Sequence, residues 1–163
     1  ARDEHLFHYL ADCAPNAQIV HGDARLSLRK LPDGRFDLLI LDAFSSDSIP
    51  LHLMTREALQ LYRDKLAPGG VLMFHISNRR LDLAPILGNG AAAVGMVARD
   101  ELFTPAPQAR DPFRYPARWI AIARRPEDLA MLDGDARWKP LPRDPRADLW
   151  TDEYSNIFGA MRW

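Results

Sequence analysis

FDLLILDAFSSDSIP, from Phe36 to Pro50, is an apolar run that ends abruptly in acids and serines. Five of its first six residues are apolar, the run stops at Asp42, and Asp47 follows in the serine cluster. A short continuous apolar run is typical of a strand buried on both faces of a parallel sheet. The acids after it are therefore either part of a surface turn or side chains presented to a site at the sheet edge.

Strand-like and helix-like segments alternate on both sides of this run. We predict strands at AQIVHGD (17–23), DLLILD (37–42), VLMFHIS (71–77), VARDELF (97–103) and RWIAIARR (118–125). We predict helices at 6–13, 26–31, 55–66 and 81–96, the third of them capped by Thr55. This alternation predicts an α/β domain with a mostly parallel sheet.

Composition narrows the class of protein. A chain of 163 residues suits one domain, and a net charge of −1 without a basic block argues against nucleic acid as a partner. The single cysteine, Cys13, excludes an internal disulfide framework, and we expect it to be a small core thiol. No segment approaches the ~20 apolar residues that cross a bilayer, and no signal peptide is visible. We therefore expect a cytoplasmic location without membrane contact by this segment.

Polar residues follow three of the predicted strands. The strand ends are Gly22-Asp23, Asp42, and the run His75-Ile76-Ser77-Asn78. Ligands of parallel sheets bind beyond the carboxyl ends of the strands. Three polar strand ends in register therefore predict a ligand-facing edge.

Four motifs carry a resemblance to a known family. They are HGDA at 21–24, FDLLILDAFSSD at 36–47, LAPGGVLMFHIS at 66–77 and FRYPARWIAIA at 113–123. Together they resemble the class I S-adenosylmethionine-dependent methyltransferase fold, and more narrowly the spermidine synthase (polyamine aminopropyltransferase) family. The resemblance implies a Rossmann-like sheet, an amine acceptor, no metal, and a donor that is decarboxylated S-adenosylmethionine or S-adenosylmethionine. It also makes a homodimer a possible assembly.

Two family elements have no counterpart here. The glycine-rich GxGxG turn after the opening strand is absent, and so is the acid that would hold the ribose hydroxyls. We therefore expect an incomplete domain, either a carboxy-terminal part of a longer protein or a remnant with reduced function. Residues 1–125 would form the partial α/β domain, and residues 126–163 a loop-rich extension packing on it.

The resemblance assigns chemistry to the two acids. Aminopropyl transfer needs an amine stripped of a proton and placed in line with the carbon next to a sulfonium. Asp47 matches the family's second loop acid and is the predicted general base, while Asp42 would orient it, the substrate or the cationic donor. Their spacing is wider than in the family. The alternatives are a strand cap for Asp42 and a solvated turn acid for Asp47.

The remaining candidate site residues are also assigned by resemblance. Asp23 would accept a hydrogen bond from the adenine amino group, and the Ala24 N–H would face the ring nitrogen. Tyr115 would line the acceptor amine site. His75 and Ser77 stand where the family carries a Gln-Gly-Glu-like element, and they are predicted substrate contacts. The alternatives are a helix cap for Asp23, a packing anchor for Tyr115 and a structural role for His75.

Three functions are consistent with these residues. The first is aminopropyl transfer from decarboxylated S-adenosylmethionine to an amine, with an Asp general base. The second is an S-adenosylmethionine-dependent methyltransferase with an acceptor other than a diamine. The third is a non-catalytic binding or regulatory domain that has lost the nucleotide cradle.

Overall fold

The structure is a computed structural model that describes residues 6–43, 50–78, 80–105 and 115–161. By its internal contacts the chain divides into two compact units, Ala1–Lys30 and Leu31–Trp163. The larger unit contains all the strands of the described residues.

The smaller unit contains two short helices, α1 (Tyr9–Cys13) and α2 (Ala24–Arg29). Helix α1 buries none of its residues and Cys13 is exposed, so the predicted core thiol is wrong. The strand predicted at 17–23 is also wrong, because these residues form no strand in the structure. An apolar extended segment becomes a strand only where a neighbour pairs with its backbone groups, and no described strand pairs with this one.

The larger unit is an α/β structure whose elements follow the predicted order. Its strands are β1 (Phe36–Leu41), β2 (Leu66–His75), β3 (Val97–Phe103), β4 (Ala117–Ala123) and β5 (Lys139–Pro140). Its α-helices are α3 (Arg56–Lys65) and α4 (Ala84–Ala93), and short 3-10 helices lie at Leu51–Leu53, Pro126–Leu132 and Phe158–Ala160.

The described strands form one sheet in the order β1-β2-β4-β3-β5. Strand β2 pairs in parallel with β1, while the β2–β4, β3–β4 and β3–β5 pairs are antiparallel. Strands β1, β2 and β3 therefore share one direction, and β4 and β5 run against it. The carboxyl ends of β1 and β2 consequently meet at one edge, with the beginning of β4 beside β2.

Strand β1 differs from the prediction in its burial. Leu38 and Ile40 are 53% and 54% exposed, so the expected burial on both faces is wrong. In the described sheet β1 is an edge strand with β2 as its partner. An unbroken apolar run therefore does not distinguish an edge strand from a central one.

The core lies on β2, β4 and the two helices that cover them. Leu72 of β2 and Ile120 of β4 are fully buried, and α3 buries Leu59 and Tyr62. Helix α3 begins as predicted, since the Thr55 hydroxyl accepts a hydrogen bond from the backbone N–H of Ala58. No helix among the described residues is long and apolar enough to cross a membrane.

Candidate functional site

The ends of β1 and β2 bring together two side chains singled out from the sequence. Leu41 pairs with Phe74 in the parallel ladder, so the residues that follow each of them leave the sheet side by side. One carboxylate oxygen of Asp42, Oδ1, lies 2.8 Å from Nδ1 of His75. The Asp42 side chain is 59% exposed and that of His75 is 26% exposed. The pair therefore sits at the solvent side of the sheet edge, where both groups are accessible.

The imidazole ring of His75 is fixed by two further contacts. Its Nε2 atom lies 2.6 Å from the Ser77 hydroxyl. Its ring stacks on Trp119, with 4.7 Å between ring centroids and 25° between planes. Trp119 is the cross-strand partner of His75 on β4, so the antiparallel pairing itself positions the indole. These contacts determine both the plane of the ring and the direction in which its nitrogens point.

Ser77 is tied to the beginning of β4 as well as to His75. Its hydroxyl oxygen accepts a hydrogen bond of 2.9 Å from the backbone N–H of Arg118. The backbone N–H of Ile76 donates in turn to the carbonyl oxygen of Arg118, at 2.9 Å. The segment after β2 is thus held in place beyond the end of the regular strand pairing. Asp42, His75 and Ser77 form one continuous series of hydrogen bonds.

A cavity of about 270 Å³ adjoins this chain of contacts. Its described lining residues are Ile76, Ser77, Asn78, Leu102, Tyr115, Pro116, Ala117 and Arg118. Ser77 and Tyr115, both predicted substrate contacts, therefore line the same cavity. Tyr115 is 69% exposed, so its ring is not a packing anchor buried in the core.

Arg118, in this wall of the cavity, forms ion pairs with two carboxylates. Its guanidinium binds Asp100 with distances of 2.9 Å and 2.6 Å, and Asp82 at 2.8 Å. The hydrogen bonds that Arg118 donates to Asp100 raise the pKa of Arg118, against the opposing effect of burial. Two carboxylates thus neutralise this cation, and they join β4 to β3 and to the segment before α4.

The other predicted site residues lie in the smaller unit or outside the described residues. In the smaller unit Asp23 caps α2, since its Oδ1 accepts a 2.9 Å hydrogen bond from the Leu26 N–H, and Ala24 is the first helical residue. Capping is the alternative that the sequence offered for Asp23, and its contact with adenine stays a prediction. Asp47 falls in residues 44–49, which are outside the described part of the chain.

Sequence reasoning missed Trp119 and the backbone of Arg118. Both lie on β4, some forty residues after His75 in sequence, and only the strand order brings them beside it. The spacing of His75 and Ser77, two residues apart in an extended segment, was a usable signal that both point to the same side. In the part of the chain that the structure describes, no group of three or more His, Cys, Asp or Glu residues is placed to hold a metal ion.

Comparison with solved structures defines the class of fold. The chain is similar to a probable spermidine synthase from Corynebacterium glutamicum, with a TM-score of 0.51 and 20% identity over 80% of this chain and 50% of that one. A spermidine synthase from Thermotoga maritima gives a TM-score of 0.49 and 18% identity over 83% of this chain and 46% of that one. The first likeness supports an incomplete α/β fold of the class I methyltransferase type, as predicted.

Comparison of sequences points to the same family. A stretch of 60 residues is 40% identical to the polyamine aminopropyltransferase of Vibrio vulnificus. It makes up 36% of this chain and 20% of that protein, so the chain matches only a fifth of this relative. No family model matches the chain. The spermidine synthase-like resemblance predicted from the motifs is thereby confirmed.

Proposed function

We propose that the protein containing this chain transfers an aminopropyl group from a decarboxylated S-adenosylmethionine donor to an amine. The observation that carries the proposal is the Asp42–His75 pair at the carboxyl edge of the parallel strands, beside the cavity lined by Ser77 and Tyr115. Ligands of such sheets bind at this edge. The sequence similarity to a polyamine aminopropyltransferase supports the choice of reaction.

The residues at this edge suit a cationic donor. A carboxylate accepts hydrogen bonds or faces a cation at both oxygens, and His75 occupies only Oδ1 of Asp42. Since the Asp42 side chain is more than half exposed, its charge is available to a sulfonium or an ammonium group. The donor supplies the electrophilic carbon, and the chain supplies negative charge beside it and a group that removes the proton of the amine.

The acceptor proposed here is an amine with a small apolar body. The cavity wall combines apolar side chains such as Leu102 and Pro116 with the hydroxyl of Ser77. Its charged member, Arg118, is already paired with two carboxylates. An ammonium group would therefore be recognised at Ser77 and by the nearby Asp42, while its carbon chain contacts the apolar wall.

Titration calorimetry of the chain with the two nucleotides tests the proposal. We expect heat of binding with decarboxylated S-adenosylmethionine and little with S-adenosylmethionine. Preference for S-adenosylmethionine together with methyl transfer would select the methyltransferase alternative. Absence of binding with both would select the non-catalytic alternative.

Two matched variants locate the reaction at this edge. Asp42→Asn removes the charge and keeps the shape, and we expect it to lower kcat by about 10²- to 10⁴-fold. Asp37→Asn makes the same change at an exposed position of the same strand, and we expect wild-type kinetics. Equal rates for the two variants would remove Asp42 from the mechanism.

A further inference from the structure

We propose that Ser77, His75 and Asp42 form a proton relay that takes the proton from an ammonium group bound in the cavity. The inference rests on the proposed function and specifies how the amine becomes a nucleophile in this chain. The sequence assigned that task to Asp47, with Asp42 orienting it or the substrate. In the structure a continuous set of hydrogen bonds runs from a cavity-lining hydroxyl to an exposed carboxylate, and this is the basis for assigning the task to the three residues together.

The hydrogen bonds of Ser77 determine the direction of the relay. The backbone N–H of Arg118 can only donate, so the Ser77 oxygen accepts there. The ionised carboxylate of Asp42 can only accept, so Nδ1 of a neutral His75 carries the hydrogen. Nε2 is then an acceptor, and the Ser77 hydroxyl must donate to it across 2.6 Å.

Among the described residues, these two contacts leave one acceptor position of Ser77 for a ligand. A serine hydroxyl has one hydrogen to donate and two lone pairs to accept with. His75 takes the hydrogen and Arg118 takes one lone pair. The second lone pair remains for a donor, which is what an ammonium N–H in the cavity supplies.

The transfer step balances in protons and electrons. One N–H bond of the ammonium group breaks and its proton goes to the Ser77 oxygen, while the hydroxyl proton of Ser77 moves to Nε2 of His75. The nitrogen lone pair that is released forms a bond to the aminopropyl carbon, and the carbon–sulfur bond breaks, with its electron pair leaving on sulfur as a neutral thioether. The imidazolium of His75 is paired with Asp42 and then returns its proton to water, because both side chains reach solvent.

The positions of the relay residues are fixed by the fold itself. Trp119 stacks on the His75 ring and prevents it from rotating out of line, and the Arg118 backbone holds Ser77. His75 and Asp42 are positioning and proton-accepting residues behind Ser77, which alone of the three lines the cavity. Removal of Ser77 should therefore disconnect the amine from the other two residues without unfolding the edge.

Nuclear magnetic resonance of the 163-residue chain with ¹⁵N-labelled histidines tests the relay without any donor. We expect the Nδ1–H tautomer at His75, whose signals are assigned with His75→Gln. Added n-butylamine should shift the Nε2 signal of His75 in the wild type and not in Ser77→Ala, with His8 and His52 as internal references. An Nε2–H tautomer, or an equal amine shift in Ser77→Ala, would overturn the relay.

Kinetics separates failure of the relay from failure of the proposed function. We expect Ser77→Ala to lower kcat at least tenfold while its calorimetric affinity for the donor stays unchanged. Ser77→Thr should restore the rate. Ser27→Ala, the matched control, should behave as wild type. A Ser77→Ala variant with the wild-type rate, beside an inactive Asp47→Asn, refutes the relay and leaves aminopropyl transfer standing. A wild-type chain that neither binds the donor nor transfers refutes the proposed function, and the tautomer and amine shift then decide whether the relay exists.

Discussion

Replacement of Gly70 by alanine should destabilise the protein through a close approach between β1 and β2. An added Cβ would lie 2.6 Å from the carbonyl oxygen of Phe36, and 3.0 Å and 3.2 Å from the carbonyl oxygen and nitrogen of Ala67. These are backbone atoms, so no side-chain rotation relieves the contact. The register of the two strands is irregular between Phe36 and Leu38, beside this part of the Pro-Gly-Gly motif.

The size of the effect follows from two opposing terms. Overpacking against fixed atoms costs about 1–3 kcal/mol. Alanine also restricts the unfolded chain, which offsets about 0.4–1 kcal/mol. We therefore expect the free energy of unfolding to fall by roughly 1–2 kcal/mol, which lowers the urea midpoint by about 0.5–1 M at an m-value of about 2 kcal/mol/M.

Gly134→Ala provides the matched control for this substitution. A Cβ at Gly134 would meet no atom of the described residues within 4 Å, so only the restriction of the unfolded chain remains, and we expect the free energy of unfolding to rise by about 0.4–1 kcal/mol. If the two alanine variants unfold at the same urea concentration, the close contact at Gly70 is not the reason for glycine in this motif.

Three further predictions concern the helices and the carboxy-terminal part of the chain. Thr55→Ala removes the acceptor for the Ala58 N–H, so urea unfolding should show a loss of about 1–2 kcal/mol and Thr55→Ser should recover most of it; no difference between the two would contradict the capping role. Asn89→Ala should cost about 2–4 kcal/mol in the same assay, because the buried amide bonds two carbonyls and one N–H of the loop after β5; a loss below 1 kcal/mol would contradict this. A hydrogen bond from Arg137 lowers the pKa of Asp135 to about 2, so its stabilising effect is complete above the ordinary carboxyl pKa and is lost as the pH falls toward 2. Carboxyl NMR titration should show this midpoint in the wild type and a higher one in Arg137→Gln, and an unchanged midpoint would rule out Arg137 as the cause.

Local patterns in the sequence predicted most of the larger unit. The apolar runs at 71–77 and 97–103 became β2 and β3, and Thr55 capped α3, because strand periodicity and helix capping depend on neighbouring residues. Failures occurred where pairing decides the outcome. Residues 17–23 have the composition of a strand but no described partner strand. Strand β1 is apolar, yet it lies at the edge of the described sheet with Leu38 and Ile40 exposed.

The candidate site divides in the same way. The sequence could predict that Asp42 and His75 lie close together, because they follow two parallel strands that end at one edge. That Trp119 stacks on His75 depends on β4 inserting between β2 and β3, against the order of the chain. No local pattern in the sequence specifies such an insertion.

Aminopropyl transfer at the edge formed by Asp42 and His75 is tested most directly by incubating the chain with decarboxylated S-adenosylmethionine and a panel of amines. Mass spectrometry of the products should show an amine enlarged by one aminopropyl group, together with an equal amount of the thioether nucleoside. Asp42→Asn should lose most of both products and Asp37→Asn should lose neither. Failure of the wild-type chain to form either product, or full product from Asp42→Asn, would contradict the assignment.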